Sequence, residues 1–289
     1  DLAISFGCRF SPQFVGHDFN ALKKAKVISV DIEKDELAKK GQKIDYPMNH
    51  DLKDFIPYFL KFFKKKKLKK FDNWNSNCEN FKKNNPIIIS KFKKNKKNKL
   101  MDLYYFMDRL GKISSKNNIL VTDAGSNYYV GGQVWNFENG QKEVSSYTNA
   151  AMGLTIPLAI GAAVASPRAN ILAVTGDGSL ELNIQELKTI SHNKFNIKLF
   201  VINNGGYVSM HNWADAFFKG RRVDNPVDTG DGTLILKNVA KAFDMEHRLI
   251  SSTNNLDKIL KEIKRSKKPL FVEVITDNKQ IIYDAYKDY

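Results

Sequence analysis

The chain has 289 residues, 42% of them hydrophobic, enough for one or two domains with substantial cores. A net charge of +15, from 46 Lys and Arg against 31 Asp and Glu, raises nucleic acid or an anionic membrane as partners. Neither is expected: the lysines gather in two Lys/Asn-rich runs, 64–70 and 91–99, without the alternating aromatics of a base-stacking platform, and the longest apolar segment, 152–165, is too short for a bilayer and is broken by Pro157 and glycines.

The chain opens at Asp1 with DLAISFG, which reads as a buried strand over 2–6, so the sequence is expected to begin inside a domain. The sequence shows no charged-then-apolar leader, so no signal peptide is expected in it. Gly7-Cys8-Arg9-Phe10 follows, then a turn or short helix at 19–24 and a second strand at 26–32 (KVISVDI) with Asp31 near its end. A turn or short helix at 33–40 and an amphipathic helix at 51–63 close this first part. Residues 64–100 read as a linker, long for a compact domain, with a helix around 74–83 and an extended piece at 87–89. Cys78 in it reads as half-buried. Two cysteines, Cys8 and Cys78, give neither a disulfide framework nor a metal spacing, which points to a reducing cytoplasm.

The third part, 101–289, alternates helix and strand. Residues 101–114 place Met101, Tyr104, Tyr105, Asp108 and Leu110 at helical spacing. A strand at 119–122 runs into Asp123-Ala124-Gly125-Ser126-Asn127, where Ser126 can act as a helix N-cap. Residues 150–165 form a small-residue helix suited to close packing. Then an apolar run, 171–175, ends in Gly176-Asp177-Gly178; an amphipathic helix is predicted over 180–191; a second apolar run, 199–202, ends in Asn203-Asn204-Gly205-Gly206. A helix or lid at 208–219, a loop at 220–232, a helix at 234–243, a strand at 246–250, a helix at 255–265 and a strand at 269–275 complete an α/β domain, and the polar and aromatic end, 277–289, is placed over its mouth.

Strand, turn, helix, strand, turn over 171–207 is a βαβ crossover in a parallel sheet, and the ends of such strands open on one edge, where ligands bind. Asp177 and Asn204, 27 positions apart, should therefore be neighbours. A carboxylate and an amide oxygen among glycines are hard ligands that suit Mg²⁺ or Ca²⁺ with phosphate oxygens completing the shell. Gly176 and Gly178 permit a tight turn and close approach, and the helix expected near Leu180 turns its N-terminal amides toward an anion. The stretch asks for a metal–diphosphate.

GDG followed after this spacing by NN resembles the cofactor motif of thiamine diphosphate (ThDP) enzymes, and GDGSLELNIQELKTI with NNGGY is similar to the acetolactate synthase branch. The likeness covers nearly the whole chain. It implies a parallel-sheet ThDP-binding domain at 101–289, preceded by the tail of an α/β middle domain at 1–63, whose DLAISFGCRF and AKVISVDI follow the family pattern. It makes Asp177, Asn204 and the Gly206 carbonyl the Mg²⁺ ligands. It assigns Gly176, Gly178, Ser179 and Tyr207 to the cofactor, and Asp123, Gly125, Ser126 and Asn127 to the loop beside its diphosphate, although the family has Gln-His where Ser126 and Asn127 stand. Ala150 and Met152 would meet the aminopyrimidine ring through their main chain. Met152, 25 positions before Asp177, has the register of the bulky residue that holds the cofactor bent; plain core is its other reading. Trp213, nine after Asn204, matches a tryptophan that shapes the pocket of the second oxo acid, while Tyr207 and Ser209 depart from that subfamily. Arg9 matches an FAD-contacting arginine or makes a surface ion pair, so FAD stays open. His211 reads as a solvated histidine, with acid–base work as the alternative.

The resemblance implies Mg²⁺- and ThDP-dependent decarboxylation and carboligation of pyruvate or another 2-oxo acid. A simple 2-oxo acid decarboxylase or acyl-CoA lyase is the alternative, and a non-catalytic binding protein that kept the fold is a second. In the family the activating glutamate lies on a pyrimidine-binding domain across a dimer interface. Glu181 and Glu186, on the helix after GDG, do not replace it. The expectation is a fragment or one half of a split enzyme, in a homodimer or tetramer or with a partner chain that supplies that domain.

Overall fold

A computed structural model describes residues 1–11, 15–16, 19–66, 70–86, 100–138, 140–146, 149–222 and 232–282. It forms two compact units, Asp1–Asn84 and Asn85–Ile282.

In the first unit, β1 (Leu2–Phe6), β2 (Lys26–Asp31) and β3 (Tyr46–Asn49) form a parallel sheet in that order. The helices are α1 (Lys34–Ala38), α2 (Leu52–Lys64) and α3 (Asp72–Asn84). The first strand is present but not buried: Leu2 is 57% exposed, and Ile4 and Phe6 are also exposed. Successive strand residues face opposite ways, and it is Ala3 that packs on the small core of Phe10, Val15 and Val27. Strand β3 was not expected; its Pro47 is tolerated at the sheet edge, where a missing N–H breaks no central ladder. Asp51 caps α2 by accepting the Lys53 N–H at 2.8 Å, and Phe55, Phe59 and Phe63 stack along its i, i+4 row. Helix α3 is exposed throughout, so Cys78 is exposed rather than half-buried. Cys8 is half-buried, and both thiols are free. Arg9 pairs with Glu36 at 2.9 Å, which realises its ion-pair reading. The 91–99 lysine run, the 87–89 piece and most of the 220–232 loop lie outside the described residues.

The second unit is α/β. Its strands are β4 (Asn118–Val121), β5 (Lys142–Val144), β6 (Asn170–Gly176), β7 (Ile197–Asn203), β8 (Glu246–Ile250) and β9 (Leu270–Ile275). All pairings are parallel, in the order β5-β4-β6-β7-β9-β8. The chain leaves β4 for β5 and returns to β6 on the other side, so the connections diverge at the β4/β6 boundary. A ligand crevice opens at such a switch point, outside the C-terminal strand ends.

The helices are α4 (Leu103–Ile113), α5 (Ser126–Val134), α6 (Thr155–Ala165), α7 (Asp177–Glu181), α8 (Leu187–Asn193), α9 (Val208–Phe217), α10 (Leu236–Ala242) and α11 (Leu256–Arg265). Ala159 and Ala163 of α6 let the helix lie close on Val121, Ala173, Leu199 and Val201 of the sheet. Two predicted helices differ from expectation, one shortened and one interrupted, for visible reasons. The 150–165 helix starts only at Thr155, because Ala150 (φ 44°) and Gly153 (φ 81°) take left-handed backbone. The 180–191 helix begins early, at Asp177, and is interrupted at Asn183 (φ −139°), whose Nδ2 leaves the helix to donate to the Gly153 carbonyl at 2.9 Å. Among the described residues no helix is long and apolar enough to cross a membrane.

Candidate cofactor site

Three turns meet at the C-terminal edge, after β4, β6 and β7. The parallel register places Gly176 beside Ile202, so the turns that follow face each other. Asp177 Oδ2 accepts the N–H of Asn204 at 3.2 Å and of Gly206 at 2.9 Å, and Oδ1 accepts the Gly178 N–H at 2.9 Å. Asp177 and Asn204 are thus neighbours, as the crossover requires. Asp177 is 7% exposed, and burial pushes its pKa up even though the backbone amides of 204–206 and 178 pull it down.

The turn after β4 is built around Asp123, which is fully buried. Its Oδ2 accepts Ser179 Oγ at 2.6 Å and the Gly153 N–H at 3.0 Å, with Thr175 Oγ1 farther at 3.4 Å. Its Oδ1 accepts the adjacent Ala124 N–H at 2.7 Å. Ser179 Oγ also accepts the Gly153 N–H, at 2.8 Å. The carboxylate therefore ties β4, α7 and the 150–154 turn together; Met152 of that turn is half-buried, as is Ala150. Asn127 is buried, and its Nδ2 donates to the Val174 carbonyl at 2.8 Å. Strand β4 pairs with β6 only as far as Ala173, so Asn127 serves a carbonyl at the point where the strands part.

Gly125 (φ 72°) rather than Ser126 is the cap residue of α5, one position from the expected N-cap. Ser126 opens the helix, half-exposed, and shares a small cavity with Asn204 and Val208. A Cβ at Gly125 would lie 3.4 Å from Ser209 Oγ, so the starts of α5 and α9 approach each other here. Gly176 is half-exposed, with open space where its Cβ would stand. Gly178 is buried under the Tyr207 ring, 2.9 Å from the position of a Cβ.

The structure thus gathers Asp123, Gly125, Ser126, Asn127, Ala150, Met152, Gly176, Asp177, Gly178, Ser179, Asn204, Gly206 and Tyr207 at one edge. The side chains of Asp123, Asn127 and Ser179 are held by protein groups. Trp213 is 54% exposed, its ring 4.7 Å from that of Phe217. His211 is not solvated: it is 6% exposed, and its Nε2 has no partner among the described residues. It sits one turn after Val208 on the inward face of α9, which the helical period could have revealed. Glu181 is exposed and Glu186 accepts Thr189 Oγ1 at 2.9 Å. Gly153, one of the small residues read as permitting close approach, does so: a Cβ there would meet Leu182 Cβ at 2.7 Å. Asn183 was not singled out in the sequence; only its long-range contact with Gly153 shows its part.

The residues present suit a divalent cation and a diphosphate. Among the described residues no three His, Cys, Asp or Glu side chains gather as a metal cluster. With the Asp123 carboxylate taken up by protein donors, the oxygens this edge can offer a cation are the Asp177 carboxylate, the Asn204 amide and backbone carbonyls. That set is hard, suits Mg²⁺, and leaves shell positions for phosphate oxygens. A cation would also offset the cost of burying the Asp177 carboxylate.

Residues 123–274 match the family described as thiamine pyrophosphate enzyme, C-terminal TPP binding domain. The chain is 28% identical over 288 residues to the probable acetolactate synthase large subunit of Methanocaldococcus jannaschii, covering 96% of this chain and 46% of that protein. It is 27% identical over 275 residues to the acetolactate synthase large subunit of Lactococcus lactis, covering 95% and 46%. It is 25% identical over 287 residues to the chloroplastic acetolactate synthase 2 of Zea mays, covering 97% and 44%. The chain spans about half the length of the curated relatives it matches.

Proposed function

The chain belongs to the thiamine pyrophosphate enzymes through their C-terminal TPP-binding domain, and from that premise we propose that it is the diphosphate-holding part of an acetolactate-synthase-like enzyme acting on pyruvate or another 2-oxo acid. The observation that carries this reading is the contact of the buried Asp177 carboxylate with the Asn204–Gly206 turn across two neighbouring strand ends. In this reading Asp177, Asn204 and the Gly206 carbonyl hold Mg²⁺, and Gly125, Ser126, Gly176 and Gly178 admit the diphosphate. ThDP, when bound, supplies the electron sink for decarboxylation and carboligation.

The chain's own residues bind and orient. Asp123, Ser179 and Asn127 hold the β4/β6 split in shape. The Gly153 N–H anchors the turn of Ala150 and Met152, which would meet the aminopyrimidine end of the cofactor, Met152 being the residue that would keep it bent. Tyr207 packs over Gly178 beside the cofactor, and Trp213 flanks the pocket of the second substrate. No activating carboxylate is assigned among these residues. A pyrimidine-binding domain of the same protein or of a partner chain, in a dimer or tetramer, supplies it. Residues 1–63 correspond in this reading to the end of a middle domain, 64–100 to its connection and 101–289 to the ThDP domain. The engagement of Arg9 with Glu36 supports an ion pair over a flavin contact. Free cysteines support a cytoplasmic setting, and neither nucleic acid nor membrane enters the reading.

Thermal denaturation with and without Mg–ThDP tests the site. A Mg²⁺-dependent rise in Tm that is lost in Asp177→Ala supports it; no rise in the wild type overturns it. Incubation of the full-length enzyme with pyruvate then separates acetolactate from acetaldehyde as product, and acetaldehyde alone would replace the carboligase reading by a simple decarboxylase.

A further inference from the structure

At the opposite edge of the same sheet lies a second concavity, of about 390 Å³, set between the starts of β4 and β5 and the turn that precedes β6. Along β6 the two edges are about 20 Å apart, at roughly 3.3 Å per residue. Lys116, Lys142 and Arg168 line it, and among the described residues no carboxylate does. Among the described residues none of these three cations has an ion pair.

The floor is built rather than incidental. Asn118 lines the cavity and is 2% exposed. Its Oδ1 accepts both the Ser115 N–H at 2.7 Å and Ser115 Oγ at 2.6 Å. Those two donors fix the orientation of the amide, which leaves Nδ2 as the end without a partner; that atom is buried and unbonded. A buried donor without an acceptor is costly, and an oxygen entering from the cavity, of water or of a ligand, would relieve it. The wall opposite is equally constrained. Gly140 (φ 92°) brings its turn against Lys116, where an added Cβ would meet Lys116 Cβ at 3.4 Å, and Gln141 Nε2 donates to the Ser115 carbonyl at 3.4 Å.

We propose that this cavity binds a small phosphorylated molecule, its anionic oxygens received by Lys116, Lys142, Arg168 and the Asn118 amide. Among the described residues, three cations with no carboxylate match a phosphate dianion or a diphosphate, the volume admits a ligand of nucleotide size, and a lining without an aromatic ring puts recognition on the phosphate rather than on a stacked base. The site is separate from the Asp177 edge and does not depend on the function assigned there.

Titration calorimetry with inorganic pyrophosphate, in low salt and without Mg²⁺, tests it. Saturable one-to-one binding is expected for the wild type and for Asp177→Ala. Affinity should fall at least tenfold in Arg168→Glu and in Asn118→Leu, while Lys188→Glu, the same charge change on an exposed helical residue outside the cavity, leaves it unchanged. Arg168→Glu should retain the Mg–ThDP thermal shift of the wild type, which also reports that it folds. Parallel titrations with orthophosphate and a sugar phosphate tell whether the phosphate alone or an organic body contributes, and saturable binding of either supports the proposal. Heats no different from sodium chloride at equal ionic strength, equal loss in Lys188→Glu, or full affinity in Arg168→Glu would overturn it.

Discussion

Ser179 donates its hydroxyl to Asp123 Oδ2 at 2.6 Å, joining the first turn of α7 to the end of β4 across the gap where the two strands part. The same oxygen receives the Gly153 N–H. Truncating Asp123 would strand several buried donors at once, and each costs about 1–3 kcal/mol when left unmade. Asp123→Ala is expected to lose about 3–5 kcal/mol of stability in urea denaturation, and Asp123→Asn, which keeps the acceptor, clearly less. A loss under about 1 kcal/mol in the alanine variant would mean that water replaces the carboxylate, and the hub role would fail.

Gly178 carries a different demand, because its backbone is ordinary and the constraint is space. A methyl there would stand 2.9 Å from the Tyr207 ring. Tyr207 itself holds left-handed backbone (φ 43°), so the ring cannot retreat by an easy backbone change. Gly178→Ala should cost about 1–3 kcal/mol. Tyr207→Ala should remove most of that cost, so the double-mutant cycle should show a coupling of at least about 1 kcal/mol. Strict additivity of the two changes would place the clash elsewhere.

The meeting of Asp177 with Asn204 could be read from the chain because it needs only two apolar runs, a crossover and the rule that parallel strands end on one edge. The α/β class and most strand limits follow from the same periodicities. What escaped depends on contacts that a linear pattern does not carry. Asn183 interrupts the predicted 180–191 helix by reaching the Gly153 carbonyl. Strand β3 hides behind Pro47, and β5 is only three residues long. Leu2, Ile4 and Phe6 look like core residues, yet the face of β1 that packs inward carries Ala3. At the candidate site, residue types did not show the division of labour: Asp123, Asn127 and Ser179 are tied to protein groups, while Gly176 has open space beside it.

Asp102 offers a pH test. It caps α4 by accepting the N–H of Tyr104 at 2.8 Å, and burial raises its pKa to about 6 although the Tyr104 and Tyr105 amides and Gln280 act the other way. Its folded pKa lies above the unfolded one, so between about pH 4 and pH 6 the folded state binds more protons and stability falls as pH rises. Asn caps a helix as well as Asp does and carries no charge. Asp102→Asn should therefore match the wild type near pH 4 and exceed it by about 1 kcal/mol above pH 6, a figure reduced for partial exposure. Equal melting temperatures at pH 8 would sink this account.

Lys198 provides the opposite sign at the alkaline end. Its side chain is fully buried at the start of β7, with Nζ donating to Asn196 Oδ1 at 2.6 Å and to the Lys268 carbonyl at 2.7 Å. Burial, with Lys267 nearby, pushes its pKa down to about 8. The unfolded lysine keeps its proton to about pH 10.4. Between those values the unfolded state binds more protons, so this group makes stability rise as pH increases from about 8. Below that window the charged amine is buried at a cost in the folded state. Lys198→Met removes the titrating group while keeping a long side chain in the same space. Denaturation midpoints measured from pH 7.5 to 10 should climb less, or fall more, in the variant than in the wild type. Parallel pH profiles for the two proteins would show that Lys198 is hydrated and titrates normally.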